Sequence, residues 1–197
     1  MADLPLSQFE QEYFEKYFFN EDSKCFESYV NSWDKLSFVP HLVPALSLIE
    51  KNVSTALVFG SATGEVLNYF EINKIKARGI EISQFAFNNV LPNYTDKTFW
   101  GDVSIMFPQI YEKGQFFDLI FSSCFQFLHL SEIKKLLPLI KDNCYLFSHY
   151  GGYRGFGEDI MDLKLNICED YNWWSKLFLD HGFYPTPSPY IWKTYRD

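Results

Sequence analysis

Two acids stand where ligand chemistry is performed in open α/β proteins. Glu81 lies in Ala77-Arg78-Gly79-Ile80-Glu81-Ile82, 17 positions after Gly64. A carboxylate at a strand tip can accept both hydroxyls of a ribose. Asp102 follows Gly101, at the end of another predicted strand, and can hold a ligand or cap a helix. Upstream, the apolar run Thr55-Ala56-Leu57-Val58-Phe59 gives way to Gly60-Ser61-Ala62-Thr63-Gly64-Glu65. Glycines let a loop turn sharply and a ligand approach its backbone. A helix that starts there aims amide hydrogens at whatever binds. A tight packing turn needs the same small residues, so the loop alone leaves both readings open. Glu65 disfavours a nicotinamide or flavin dinucleotide, whose pyrophosphate needs glycine at that position and an unopposed helix dipole. A ligand without pyrophosphate, with an amino-acid end and a nucleoside end, suits the loop better.

Further candidates lie near predicted strand ends. Ser122 and Ser123 close a fourth strand and can hold a ligand or cap the next turn. His149 opens the glycine-rich segment Tyr150 to Gly157. Its titration range suits a general base near neutral pH, though a hydrogen-bonded loop histidine is the plainer alternative. His129 caps or packs near a helix, and His41 and His181 look peripheral. Arg154, Glu158 and Asp159 can bind a polar acceptor or remain solvated loop charges. Four dispersed His and four dispersed Cys offer no metal-ligand spacing, so no metal site is assigned.

The elements that must position these groups follow from hydrophobic patterning. Apolar runs bounded by turn residues predict strands at 55–59, 77–82, 98–100, 117–122 and 143–148. Helices are predicted at 65–70, from Ser83, at 131–140 and at 172–181. Strands alternating with helices indicate a parallel α/β sheet. The tail breaks this rhythm, with strands around Phe183-Tyr184 and Tyr190 to Lys193. Pro185, Pro187 and Pro189 fit a loop or edge there, not a central strand. Ahead of the sheet, Phe9, Tyr13 and Tyr17 recur at helical spacing, and a further helix is predicted at 45–51.

Composition bounds the class. The chain has 197 residues, 47% hydrophobic and 21% charged, as expected for one globular domain. Aromatic residues reach 20%, which argues against disorder. The net charge of −8 and pI near 5.0 argue against a nucleic-acid binder, which needs a basic face. No apolar run approaches a membrane span, and the first residues show no secretory pattern. The expectation is a cytoplasmic protein with reduced thiols. Oligomeric state is not legible.

Together these segments resemble the class I S-adenosylmethionine-dependent methyltransferases, over roughly residues 50 to 197. Residues 56–64 resemble the family's first motif, and Gly79-Ile80-Glu81-Ile82-Ser83 its second. Gly101-Asp102-Val103 is similar to the adenine-gripping segment. Phe117-Asp118-Leu119-Ile120-Phe121-Ser122 resembles the fourth-strand motif, and Trp173 to Phe183 the late helix and strand. The N-terminal aromatic segment is similar, more loosely, to the cap of small-molecule and sugar methyltransferases. The resemblance implies a Rossmann-like three-layer α/β/α sandwich with a mainly parallel seven-stranded sheet and an antiparallel last strand. It implies one domain, 1–197, with a helical cap over 1–50 and the core over 51–197. It implies S-adenosylmethionine as cofactor, held by Gly60, Ser61, Ala62, Gly64, Glu81, Ile82, Asp102, Val103, Ser122, Ser123 and Tyr17. A small polar molecule is the expected methyl acceptor, with His149 as base. Val58 stands where the family usually has an acid, and Ala62 where it usually has glycine. These departures keep a second reading open: a methyltransferase-like binding or scaffold module without turnover.

Overall fold

The computed structural model describes residues 53–114, 117–122, 124–140, 144–148, 166–167, 169–188 and 190–194, with residue 11 and the pairs 19–20, 25–26 and 46–47. Most of the expected helical cap over 1–50, including Tyr17, lies outside these residues, as do Ser123 and His149. Two short strands, β1 (Phe19–Asn20) and β2 (Cys25–Phe26), pair antiparallel within that N-terminal portion.

β3 (Thr55–Phe59) carries four consecutive fully buried residues. Its unbroken apolar run suits a strand covered on both faces. α1 (Glu65–Ile72) returns the chain to β4 (Lys76–Glu81), which pairs parallel to β3. α2 (Gln84–Asn88) starts at Ser83, whose hydroxyl accepts the Ala86 N–H. β5 (Thr98–Trp100) then adds outside β4. α3 (Val103–Glu112) is the helix the sequence pattern hides, because Pro108 sits inside it and proline ordinarily breaks a helix. It carries the chain to β6 (Leu119–Ser122), on the other side of β3. α4 (Leu130–Leu136) precedes β7 (Tyr145–Ser148), and α5 (Tyr171–Asp180) precedes β8 (Phe183–Pro185) and β9 (Ile191–Thr194).

The strand order is β5-β4-β3-β6-β7-β9-β8. β9 runs antiparallel to both neighbours, and every other pair in the sheet is parallel. This is the mainly parallel seven-stranded sheet with a reversed last strand that the resemblance implies. Pro185 falls on β8, at the sheet's edge, where its missing N–H leaves no ladder partner wanting.

The core divides by sheet face. Leu57 and Phe59 pack with Val103, Phe107, Ile133, Trp174 and Phe178, from α3, α4 and α5. Ala56 and Val58 pack with Val66, Leu67 and Phe70 of α1 and with Val90 and Tyr94. Aromatic packing is dense: Phe121 and Phe147 stack at 5.0 Å and 5°, and Phe59 meets Phe107 edge-on at 5.2 Å. Much of the aromatic content is therefore core, as general burial rules favour.

β6 begins at Leu119 because Asp118 turns its carboxylate back to the start of β3. Its Oδ2 accepts the N–H and hydroxyl of both Ser54 and Thr55, at 2.7–3.1 Å. Asp118→Ala is expected to cost about 1.5–3 kcal/mol, the range for hydrogen bonds to a charged group. Urea unfolding checks this, with Asp118→Asn expected to fall between the two.

Candidate functional site

The order of strands reverses between β3 and β6, because the chain winds outward through β4 and β5 before returning. Ligands of open α/β sheets sit at the carboxyl ends of strands at such a point. The loop 60–64 occupies that edge.

Its backbone is unusual at three positions: Gly60, Ala62 and Gly64 have φ of 75°, 48° and 97°. Gly60 and Ser61 donate their N–H groups to the Ile80 carbonyl, at 2.9 and 3.2 Å. The loop is thereby laced to the end of β4. Ala62 is strained, since its methyl sits on a left-handed residue. Its N–H donates to Glu81 Oε2 at 2.7 Å, while Glu81 Oε1 accepts the Ser83 N–H at 2.8 Å. The buried Glu81 carboxylate thus clamps the loop after β3 to the turn after β4. Sequence reasoning placed this acid at the site but did not foresee the clamp.

Ser61 is buried, and its side chain lies over the backbone of β4. A Cβ on Gly79 would stand 2.4 Å from Ser61 Oγ. Gly79 is thus required by the loop's descent onto the sheet. Glu65, also buried, opens α1 with its carboxylate 2.6 and 2.7 Å from the Thr63 hydroxyl, which shares one hydrogen between the two oxygens.

Asp102 takes the capping role as well as the expected position. Its Oδ1 accepts the Ser104 N–H at 2.7 Å, so it starts α3. The Gly101 N–H donates to the Glu81 carbonyl at 2.8 Å, which joins the two acidic segments. Val103 then offers a first-turn amide. Ile82 follows Glu81, and its carbonyl accepts the Trp100 ring N–H at 3.2 Å. Trp100 also stacks on Phe87.

At the end of β6, Ser122 is buried and its hydroxyl accepts the Cys124 N–H at 3.4 Å. Cys124 is a residue that the sequence reading missed. A Cβ on Gly60 would lie 3.5 Å from the Cys124 Cβ, so this thiol borders the loop directly. The signal available was its position two residues past Ser122. Burial pushes the thiol pKa up to about 12, the Ser122 hydrogen bond opposes the rise, and Glu81 and Asp102 add to it. Cys124 should therefore alkylate slowly at pH 8.5, where about one thiol in three thousand is ionised. Because the folded value lies above the free-thiol value of 9.0, this group's contribution to stability is intact below pH 9. It falls as pH climbs from 9 towards 12. Rapid iodoacetamide labelling of the folded protein at pH 8.5, mapped to Cys124, would overturn this.

Of the expected site residues, Gly60, Ser61, Ala62, Gly64, Glu81, Ile82, Asp102, Val103 and Ser122 all occur at this one sheet edge. Ser61 points onto β4 and not outward. His129 is exposed; its N–H donates to Glu132 Oε2 at 2.7 Å, so it opens α4. His181 closes α5, its Nδ1 2.8 Å from the Leu177 carbonyl. Cys124 and Cys144 are free thiols, and no metal-binding group occurs among the described residues.

No family model matches the sequence, and no curated protein matches it. Solved structures do. An S-adenosylmethionine-dependent methyltransferase from Archaeoglobus fulgidus superposes with a TM-score of 0.60 at 15% identity, over 88% of this chain and 74% of that one. A TehB-like methyltransferase from Corynebacterium glutamicum gives 0.53 at 13%, over 86% of this chain and 97% of that one. The chain has the S-adenosylmethionine-dependent methyltransferase fold. The phosphoethanolamine N-methyltransferase 2 of Haemonchus contortus, solved with S-adenosylmethionine, also matches, at a TM-score of 0.54 and 13% identity. That match spans 86% of this chain and 40% of the other. That fold accounts for the reversed β9. No described helix is long and apolar enough to cross a membrane.

Proposed function

We propose that this chain binds S-adenosylmethionine and transfers its methyl group to a small polar molecule. One observation carries the reading: two carboxylates, Glu81 and Asp102, flank a left-handed backbone loop at the switch point. A carboxylate has about four acceptor sites, so Glu81 can serve a ribose diol as well as the loop. Asp102 can accept the adenine amine through the oxygen opposite its cap, with the Val103 N–H facing the ring. Gly60 and Gly64 let the methionine end approach the backbone. Ser122 borders that end. Ser123, Tyr17 and His149 complete the proposed site, the last as base for the acceptor. An acceptor other than nucleic acid accords with the acidic balance of the chain.

Methyl transfer is an in-line displacement. The acceptor lone pair attacks the methyl carbon, and the carbon–sulfur pair returns to sulfur. The protein's task is to align the three atoms and exclude water.

A binding module without turnover is favoured by one feature. Val58 is fully buried among Val66, Phe70 and Phe121, so nothing at that position orients the cofactor's amino group. Calorimetric titration with S-adenosylmethionine and S-adenosylhomocysteine, with NADH as control, tests the reading. Micromolar binding of the adenosyl ligands alone supports it; a folded, ligand-free protein that binds neither sinks it. Once an acceptor is in hand, His149→Ala is expected to lower kcat with little change in cofactor affinity.

A further inference from the structure

The loop after β3 is fixed by two different neighbours. Gly60, Ser61 and Ala62 are tied to the end of β4, through the Ile80 carbonyl and the Glu81 carboxylate. Thr63 and Gly64 are tied to the segment after α2. There the Leu91 N–H donates to the Thr63 carbonyl at 2.9 Å. The short helical turn Pro92–Lys97 then brings Tyr94 against Gly64. A Cβ on Gly64 would stand 3.4 Å from the Tyr94 Cβ, 3.6 Å from its Cδ2 and 3.6 Å from Val90 Cγ1.

Tyr94 is itself held on several sides. It is buried and packs in the core with Val66, Leu67 and Phe70 of α1. Its hydroxyl donates to Asn68 Oδ1 at 3.0 Å, one turn into α1. Its N–H donates to the Leu91 carbonyl at 2.8 Å, and its carbonyl accepts the Thr98 hydroxyl at 3.0 Å. Lys97, paired with Glu71 further along α1, lies 4.9 Å from the ring centre. The side chain thus runs from Gly64 to Asn68, on the core side of the turn that opens α1. Gly64 precedes that helix with φ of 97°, and no side chain caps it. Its carbonyl accepts the Asn68 N–H at 3.0 Å. A rigid ring between these two residues holds the Gly64 peptide in one place.

We propose that Tyr94 is a positioning residue for the amino-acid end of the cofactor, acting from beneath the loop through Gly64. The proposal rests on the S-adenosylmethionine reading above and deepens it. Glu81 and Asp102, which serve the nucleoside end in that reading, are fixed by hydrogen bonds that do not involve Tyr94. Without the ring, Thr63 and Gly64 keep their backbone bonds to Leu91 and Ser61 but lose the wall behind them. The loop must then be ordered when the amino-acid end binds, at a cost in affinity. The nucleoside end escapes that cost. The result is a split between the two ends of one ligand, which a general loss of stability does not produce.

Calorimetric titration of the full chain tests this with S-adenosylhomocysteine and methylthioadenosine. The second ligand keeps the nucleoside and the thioether sulfur but lacks the amino-acid end. Tyr94→Leu is expected to weaken S-adenosylhomocysteine binding on the order of tenfold, the worth of one hydrogen bond. Methylthioadenosine should bind the variant and the wild type alike. Tyr94→Phe keeps the ring against Gly64, gives up only the hydroxyl, and should restore the wild-type ratio. Urea midpoints establish that each variant is folded. If Tyr94→Leu does not fold, Tyr94→Met, which fills the volume without a ring, is read in the same way. Equal weakening of both ligands, or of neither, overturns the proposal. So does a Tyr94→Phe chain that loses as much as Tyr94→Leu. A wild-type chain that binds neither ligand overturns the S-adenosylmethionine reading itself, before any substitution is made.

Discussion

Glu81→Ala is expected to destabilise the protein and weaken cofactor binding together. The carboxylate accepts the Ala62 and Ser83 N–H groups from inside the protein, with only 5% of the residue exposed. Truncation strands both amides, each costing about 1–3 kcal/mol when buried without a partner. Equilibrium unfolding in urea should show a loss of about 2–6 kcal/mol at unchanged m-value. Cofactor affinity should fall as well, by roughly 1–3 kcal/mol, if the same group holds the ribose. Glu81→Gln separates the effects. Its amide oxygen can keep one backbone N–H, but its NH2 group opposes the other donor. It should retain more stability than alanine while losing most of the ribose interaction. An alanine variant that unfolds at the wild-type midpoint would remove the clamp, and one that binds the cofactor normally would remove the ribose role.

Gly79→Ala is expected to have an effect of similar size from the opposite cause. The new Cβ would stand 2.4 Å from Ser61 Oγ and 2.5 Å from Ser61 Cβ. Central β4 is held on both sides, by β3 and β5, so the clash must be relieved by the loop. Overpacking of this kind costs about 1–3 kcal/mol, and the displaced loop is the one proposed to hold the cofactor. Ser61→Gly in the same chain should recover most of that loss, because it removes the atoms that collide. Ser61→Ala should not, because its Cβ stays. The double-mutant cycle therefore reads a coupling of about 1–3 kcal/mol for glycine and little for alanine. Equal rescue by both would mean that the hydroxyl alone makes the contact.

These two effects share a root that the sequence shows only in part. The run Thr55-Ala56-Leu57-Val58-Phe59 and the loop after it are legible because an apolar strand and a glycine-bounded turn have local signatures. Residues 98–100 form the predicted third strand for the same reason. The helix over 103–112 is not legible, since Pro108 contradicts it locally and its burial against Phe59 offsets that cost. β9 is short, and its antiparallel place beside β7 is fixed by contacts between distant segments such as Phe147 and Ile191.

The site divides in the same way. Residue types at strand ends placed Glu81, Asp102 and the loop glycines at one edge, because apolar runs locate the strands and chain direction tells which end of a parallel strand a residue follows. Cys124 carried no such mark, and only the fold brings it beside Gly60. The sequence by itself determined the α/β class, the acidic balance and the candidate ligand loop, all of which follow from local pattern and composition. Only the tertiary structure decided that Glu81 clamps Ala62 and Ser83, and that Gly79 makes room for Ser61. Those facts depend on which distant segments meet, and hydrogen-bond geometry and steric exclusion act only once they have met.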